Sequence, residues 1–284
     1  MAFKHSPLAA DCKAASPVTL DSPVEQDVLD SDIDSIIGKL ARQLRLDSGN
    51  FLKLYHSLEF TNKQDFVLAL LKGMQQARTA STISRNIKMA GFPAHKTLDQ
   101  FDPSCLQLPS VISWSELCSC NFVEAHENVV LIGNAGTGKT HLGIALGLQA
   151  SMLGYKVLFF RMVSFMEALN QAKDDNTLKA LYKRIAACDM LILDEMGYTE
   201  VNNTGTRLFF DVLSELIYEK RSLVVTSNLA LSQWNQVFAD QHLAEAVLDR
   251  VIHHCYLIQH EGKSYRLTNS IMSKAKPMAR KAQK

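Results

Sequence analysis

Eight consecutive residues, Gly133-Asn134-Ala135-Gly136-Thr137-Gly138-Lys139-Thr140, carry the most specific chemistry in this chain. Their pattern, G-x-x-x-x-G-K-[ST], lets successive backbone N–H groups turn inward and form a nest for anions. Lys139 is placed to reach the β- and γ-phosphates of a nucleotide, and the Thr140 hydroxyl to complete the shell of a Mg²⁺ ion. A second constellation is Asp194-Glu195, preceded by Met190-Leu191-Ile192-Leu193. At the end of a strand Asp194 would hold the Mg²⁺ shell, while Glu195 would face a water in line with the γ-phosphate. Two adjacent carboxylates repel, and a bound cation makes the pair tolerable. A third polar group, Thr226-Ser227-Asn228, follows Leu223-Val224-Val225. If that strand neighbours the first, Asn228 can reach the γ-phosphate or the attacking water.

The elements that must position these groups alternate between strand and helix. The spacing predicts strands at 129–132, 157–160, 190–193 and 223–225, separated by helices at 140–153, 164–171, 177–187 and 206–219. Gly154 is placed to close the first of these helices. Such alternation argues for a parallel sheet covered on both faces. A helix over 244–253 carries Asp249-Arg250, and a terminal hairpin is expected from 256–259 and 264–267 around Glu261-Gly262. Upstream, apolar residues at helical spacing (Ile33, Ile36, Ile37, Leu40, Leu44, then Phe51, Leu54, Tyr55, Leu58) predict a helical N-terminal domain over 31–90. Residues 1–30 read as a disordered lead-in, 91–110 as a connector, 111–270 as the nucleotide domain and 271–284 as a basic tail.

Composition narrows the class. With 284 residues and 47% hydrophobic content the chain can bury a proper core. A formal net charge of +1 points to no partner by itself, but the charge is unevenly placed. Seven acids stand against Lys4 and Lys13 in residues 1–34, whereas after Glu261 there are only bases. The helical region is also basic, a surface suited to DNA, to a partner protein or simply to solvent. No apolar run is long enough to cross a bilayer, so no membrane association is expected. Six cysteines with no signal peptide ahead of them point to reduced thiols and a cytoplasmic location. Cys118-Ser119-Cys120 lacks the spacing of a zinc site and His253-His254-Cys255 is too tightly spaced, so no metal cluster is expected from either.

With Leu248-Asp249-Arg250 and Ser264-Tyr265-Arg266 added, these motifs resemble the IstB/DnaC group of AAA+ ATPases: transposition helpers of insertion sequences, and replicative helicase loaders. The resemblance begins near Phe92-Pro93, keeps the order and spacing of the group, and leans towards the transposition helpers. It implies an α/β P-loop NTPase (AAA+) fold, a three-layer parallel-sheet core with a small N-terminal helical domain and no C-terminal lid. ATP and Mg²⁺ are the implied ligands. Gly133, Asn134, Ala135, Gly136, Thr137, Gly138, Lys139, Thr140, His141 and Asp194 would line the nucleotide, and Thr140 and Asp194 would hold the metal. Glu195 would polarise the water and Asn228 act as sensor, while Arg250 looks like an arginine finger for a neighbouring subunit and Arg266 like a second sensor. Lys179, Lys183 and Arg184 would grasp DNA phosphates without reading sequence. The implied function is a DNA-stimulated ATPase that forms a homo-oligomer on double-stranded DNA with ATP and delivers that DNA to a partner transposase. A replicative helicase loader and an ATP-dependent DNA scaffold are the alternatives. The sequence departs from the group in its long proline- and acid-rich start and in Asn134-Ala135, where a proline is more usual.

Overall fold

The computed structural model describes residues 34–59, 62–198, 201–262 and 264–268, so the expected lead-in and basic tail lie outside the described residues. The chain divides into two compact units, Met1–Arg78 and Thr79–Lys284. In the first, residues 34–43 form α1, and α2 spans Ser48–Ser57. The Asp47 carboxylate starts α2 by accepting the Gly49 and Asn50 N–H groups at 3.1 and 3.2 Å. Helix α3, Lys63–Ala90, contains no proline and ends at Gly91, where φ reaches +77°.

The second unit opens with β1 (Leu106–Gln107), α4 (Trp114–Ser119) and α5 (Asn121–Glu124). The nucleotide motifs follow on β2 (Asn128–Gly133), α6 (Lys139–Met152), β3 (Val157–Arg161), α7 (Met162–Asp174), α8 (Leu178–Ala186) and β4 (Met190–Met196). Next come α9 (Asn203–Asp211), a π-helical stretch at Val212–Ile217, and β5 (Ser222–Ser227). The described chain closes with α10 (Gln241–Ile252), β6 (Cys255–His260) and the single turn α11 (Tyr265–Thr268).

Six strands form one sheet in the order β1-β6-β2-β5-β4-β3, parallel except for β1. The period of two divides each central strand between two cores. Leu191, Leu193, Leu223, Val225 and Val130 join one cluster with Phe165, Phe209 and Trp234. Met190, Ile192, Val224, Val129 and Leu131 join the other with Leu142 and Leu146 of α6. Both faces are buried, which is why these strands are continuous apolar runs rather than alternating ones. Truncating Ile192 to alanine in such a core costs about 2–5 kcal/mol.

The structure corrects three details of the sequence reading. The segment read as a connector supplies β1, which pairs antiparallel with β6. Among the described residues no terminal hairpin forms, because β6 already has β2 on one side and β1 on the other, and Tyr265–Thr268 is helical instead. The strand over 190–193 continues through the two acids to Met196, with a register shift between Leu193 and Met196. That irregularity turns the acids away from simple alternation, as bulges beside active sites commonly do.

Candidate nucleotide site

Strand order places the site. Because β5 lies between β2 and β4, its polar end stands between the phosphate loop and the acids, at the carboxyl edge of the sheet. The loop leaves β2 and enters α6 with no intervening cap side chain: Gly138 is itself the N-cap, at φ +94°. Gly136, at φ +81°, is needed twice over, since a Cβ there would also collide with the Ser264 side chain. Lys139 is only 9% exposed and its Nζ donates to the Gly133 and Asn134 carbonyls, each at 2.7 Å. Burial lowers its pKa, Asp194 opposes that fall and Arg266 adds to it. The start of α6 adds its positive dipole end to the same spot.

Thr140 Oγ1 donates to Asp194 Oδ1 at 2.8 Å, and Thr226 Oγ1 donates to the same oxygen at 2.6 Å. Asp194 is buried to 2% exposure, so these bonds offset part of the cost of placing a carboxylate there. The Glu195 N–H donates to Thr226 Oγ1 at 3.0 Å, and Glu195 itself sits at φ +64°. A non-glycine residue in that region is strained, and the strain aims the carboxylate out of the strand pattern. Glu195 is half-exposed, with Oε2 4.0 Å from Arg161 Nε on the adjoining strand.

The far side of the loop is held by the end of β6. His260 is 3% exposed, and its Nδ1 lies 3.2 Å from the Thr137 carbonyl, to which it donates. Burial, with Lys139 adding to it, pushes the imidazole down to about 4 despite that bond, so the ring is neutral. Phe101 packs beside it, 6.0 Å between centroids, and also beside His141 at 5.6 Å. His141 Nε2 reaches the Thr97 carbonyl at 3.1 Å. The Tyr265 N–H donates to the Gly136 carbonyl at 2.9 Å, which brings α11 and Arg266 to the loop.

The other predicted residues stand just beyond β5, on α10 and on α8. Asn228 is exposed just beyond β5, where Ser227 Oγ donates to the Met196 carbonyl at 2.7 Å. Arg250, on α10, donates to the Ala246 carbonyl at 3.0 Å, and its guanidinium covers the Phe210 ring at 4.5 Å. Lys179 and Lys183 are exposed on α8, and Arg184 lies over Phe160 at 5.6 Å. Sequence reasoning passed over Arg161 and His260, and it singled out the group Thr226-Ser227-Asn228 but gave the role to Asn228 rather than to Thr226. Thr226 was within reach, as the first polar residue after an apolar strand; His260 had no sequence signal, because only the pairing of β6 with β2 brings it under the loop.

A phosphate loop after one strand, paired acids on another and a polar strand end between them define a P-loop ATPase of the AAA+ class. The chain belongs to the IstB-like ATP binding protein family, which matches residues 54–273. It is 38% identical over 206 residues to the "Insertion sequence IS21 putative ATP-binding protein" of Pseudomonas aeruginosa, covering 72% of this chain and 77% of that protein. The "Insertion sequence IS232 putative ATP-binding protein" of Bacillus thuringiensis subsp. berliner is 34% identical over 209 residues, covering 72% and 83%. Among solved structures, the DnaC helicase loader is 18% identical with a TM-score of 0.47, covering 58% of this chain and 96% of that one. Among the described residues no helix is long and apolar enough to cross a membrane.

Proposed function

We propose that this ATPase uses ATP to assemble on double-stranded DNA and to present that DNA to a partner transposase, hydrolysis then releasing the assembly. The observation that carries the reading is the division of the site. Lys139, Thr140, Asp194 and Glu195 converge on one loop, whereas Arg250 is held on α10 by Ala246 and Phe210. An arginine so placed serves a neighbouring subunit's ATP, and action in trans requires an oligomer. The names of the relatives, which tie ATP binding to insertion sequences, support transposition as the setting.

The residues fit ATP with Mg²⁺. The Thr140 hydroxyl and the Asp194 carboxylate form an all-oxygen donor set of the kind a hard cation takes. Bound by these two residues, Mg²⁺ would neutralise phosphate charge. Around it, the loop N–H groups and Lys139 orient the triphosphate, Glu195 polarises the attacking water, and Asn228 reports on the γ-phosphate. Arg266, beside Lys139, adds positive charge at the same end of the nucleotide. Lys179, Lys183 and Arg184 on α8 grip DNA phosphates without reading bases.

The test is Glu195→Gln, which keeps the loop and removes the carboxylate. The variant should bind ATP, lose turnover and accumulate as a stable oligomer on DNA in sedimentation, while wild-type protein with ADP should not assemble. Equal assembly with ATP and ADP would overturn the switch.

A further inference from the structure

At the edge of the sheet opposite the phosphate loop, the turns that enter β5 and β6 bring together three side chains that take no part in the nucleotide site. Glu219 follows the π-helical stretch and stands at φ +56°, while His253 and His254 follow α10. One ligand atom from each lies within 4.8 Å of the others, and all three residues are exposed. We propose that Glu219, His253 and His254 bind one divalent transition-metal ion of the zinc type, with the fourth coordination position open to water.

Two features of the surroundings favour a site over chance adjacency. The first is the second nitrogen of His253. Its Nδ1 lies 3.0 Å from the Tyr218 hydroxyl. The Tyr218 hydroxyl thus orients the His253 ring from outside the three ligands, as outer-shell partners of metal-binding histidines do. The second feature is Asn128, 6% exposed at the start of β2. Its Oδ1 accepts the Leu223 N–H at 2.9 Å, its Nδ2 donates to the Val251 carbonyl at 3.0 Å, and its backbone N–H donates to the His254 carbonyl at 2.6 Å. One buried residue therefore ties the strand that follows Glu219 to the turn that carries both histidines, so the ligand backbones sit on a fixed frame.

Donors on a tetrahedral zinc at ~2.1 Å stand about 3.4 Å apart, so ligand atoms within 4.8 Å of one another need to draw in by at most about 1.4 Å. The carboxyl end of α10 also favours a cation at this position. Cys255, next in sequence, is not part of the set, because it packs against the core. Reading His253-His254-Cys255 alone hid the site: its third ligand arrives from the other side of β5 and α10.

The test is zinc titration at pH 7.5 into the untagged full chain, stripped of metal beforehand and followed by calorimetry, with cobalt as a spectroscopic probe. One equivalent should bind with affinity on the order of micromolar, and cobalt should give the visible bands of a four-coordinate ion. The His253→Ala/His254→Ala double variant should lose that equivalent, and Glu219→Gln and Tyr218→Phe should each weaken it by about tenfold. Binding no tighter than about 100 µM in the wild type, or an equivalent that survives the double variant or is indifferent to Glu219→Gln, would overturn the site.

Discussion

Arg161 Nε stands 4.0 Å from Glu195 Oε2, so the carboxylate assigned to the hydrolytic water is drawn towards a cation on the adjoining strand. Both side chains are substantially exposed, and such a pair is worth less than about 1 kcal/mol. Its effect belongs on rate rather than fold. Arg161→Ala should raise turnover at saturating ATP by up to about fivefold. Added salt should raise wild-type turnover and leave the variant unchanged; the same salt response in both would show that the pair does not restrain Glu195.

Thr226 serves both acids at once, donating to Asp194 and accepting from the Glu195 N–H. Thr226→Val keeps the shape and leaves the part-buried Glu195 N–H unpaired, which costs about 1 kcal/mol. Urea unfolding should show that loss, and the Mg²⁺ concentration needed for half-maximal turnover should rise. A variant with the wild-type Mg²⁺ requirement would confine Thr226 to a structural role.

Arg250→Ala should cut turnover by about 10³-fold with nucleotide binding nearly intact, if it neutralises charge on a neighbour's ATP. Losing its stacking on Phe210 should cost only about 0.5–1 kcal/mol of stability. Mixed with Lys139→Ala, which should lose ATP binding but retains Arg250, the variant should recover part of its activity. No recovery at any ratio would place the arginine's action within its own subunit.

His260 makes stability depend on pH in a defined window. Its folded pKa is depressed to about 4 from an ordinary value of 6.5, so between those values the unfolded chain binds more protons than the folded one. Stability from this group is therefore complete above about pH 6.5 and lost as pH falls towards 4, a change on the order of 3 kcal/mol. His260→Asn offers Thr137 an N–H without titrating. The difference in urea midpoint between wild type and variant should shift between pH 7.5 and 4.5, and a constant difference would remove His260 as its source.

Much of the nucleotide centre was legible because its chemistry is local. Gly133 to Thr140 forms one loop, and Asp194-Glu195 one strand segment. The apolar runs at 129–132, 190–193 and 223–225 were read as strands because a doubly covered parallel sheet needs no polar face. What was not legible depends on pairing. Leu106-Gln107 is too short to carry a strand signal and becomes β1 only because β6 offers an edge. The reading of 264–267 as a strand failed for the converse reason, that both edges of β6 were already taken. His260 and Arg161 belong to the site by register alone, opposite Gly133 and Asp194.

The bond from the Tyr265 N–H to the Gly136 carbonyl has a mechanical consequence. The single turn α11 is fastened directly to the phosphate loop. Any displacement of Tyr265 therefore pulls on the Gly136 carbonyl, so the position of α11 and the shape of the phosphate nest are coupled.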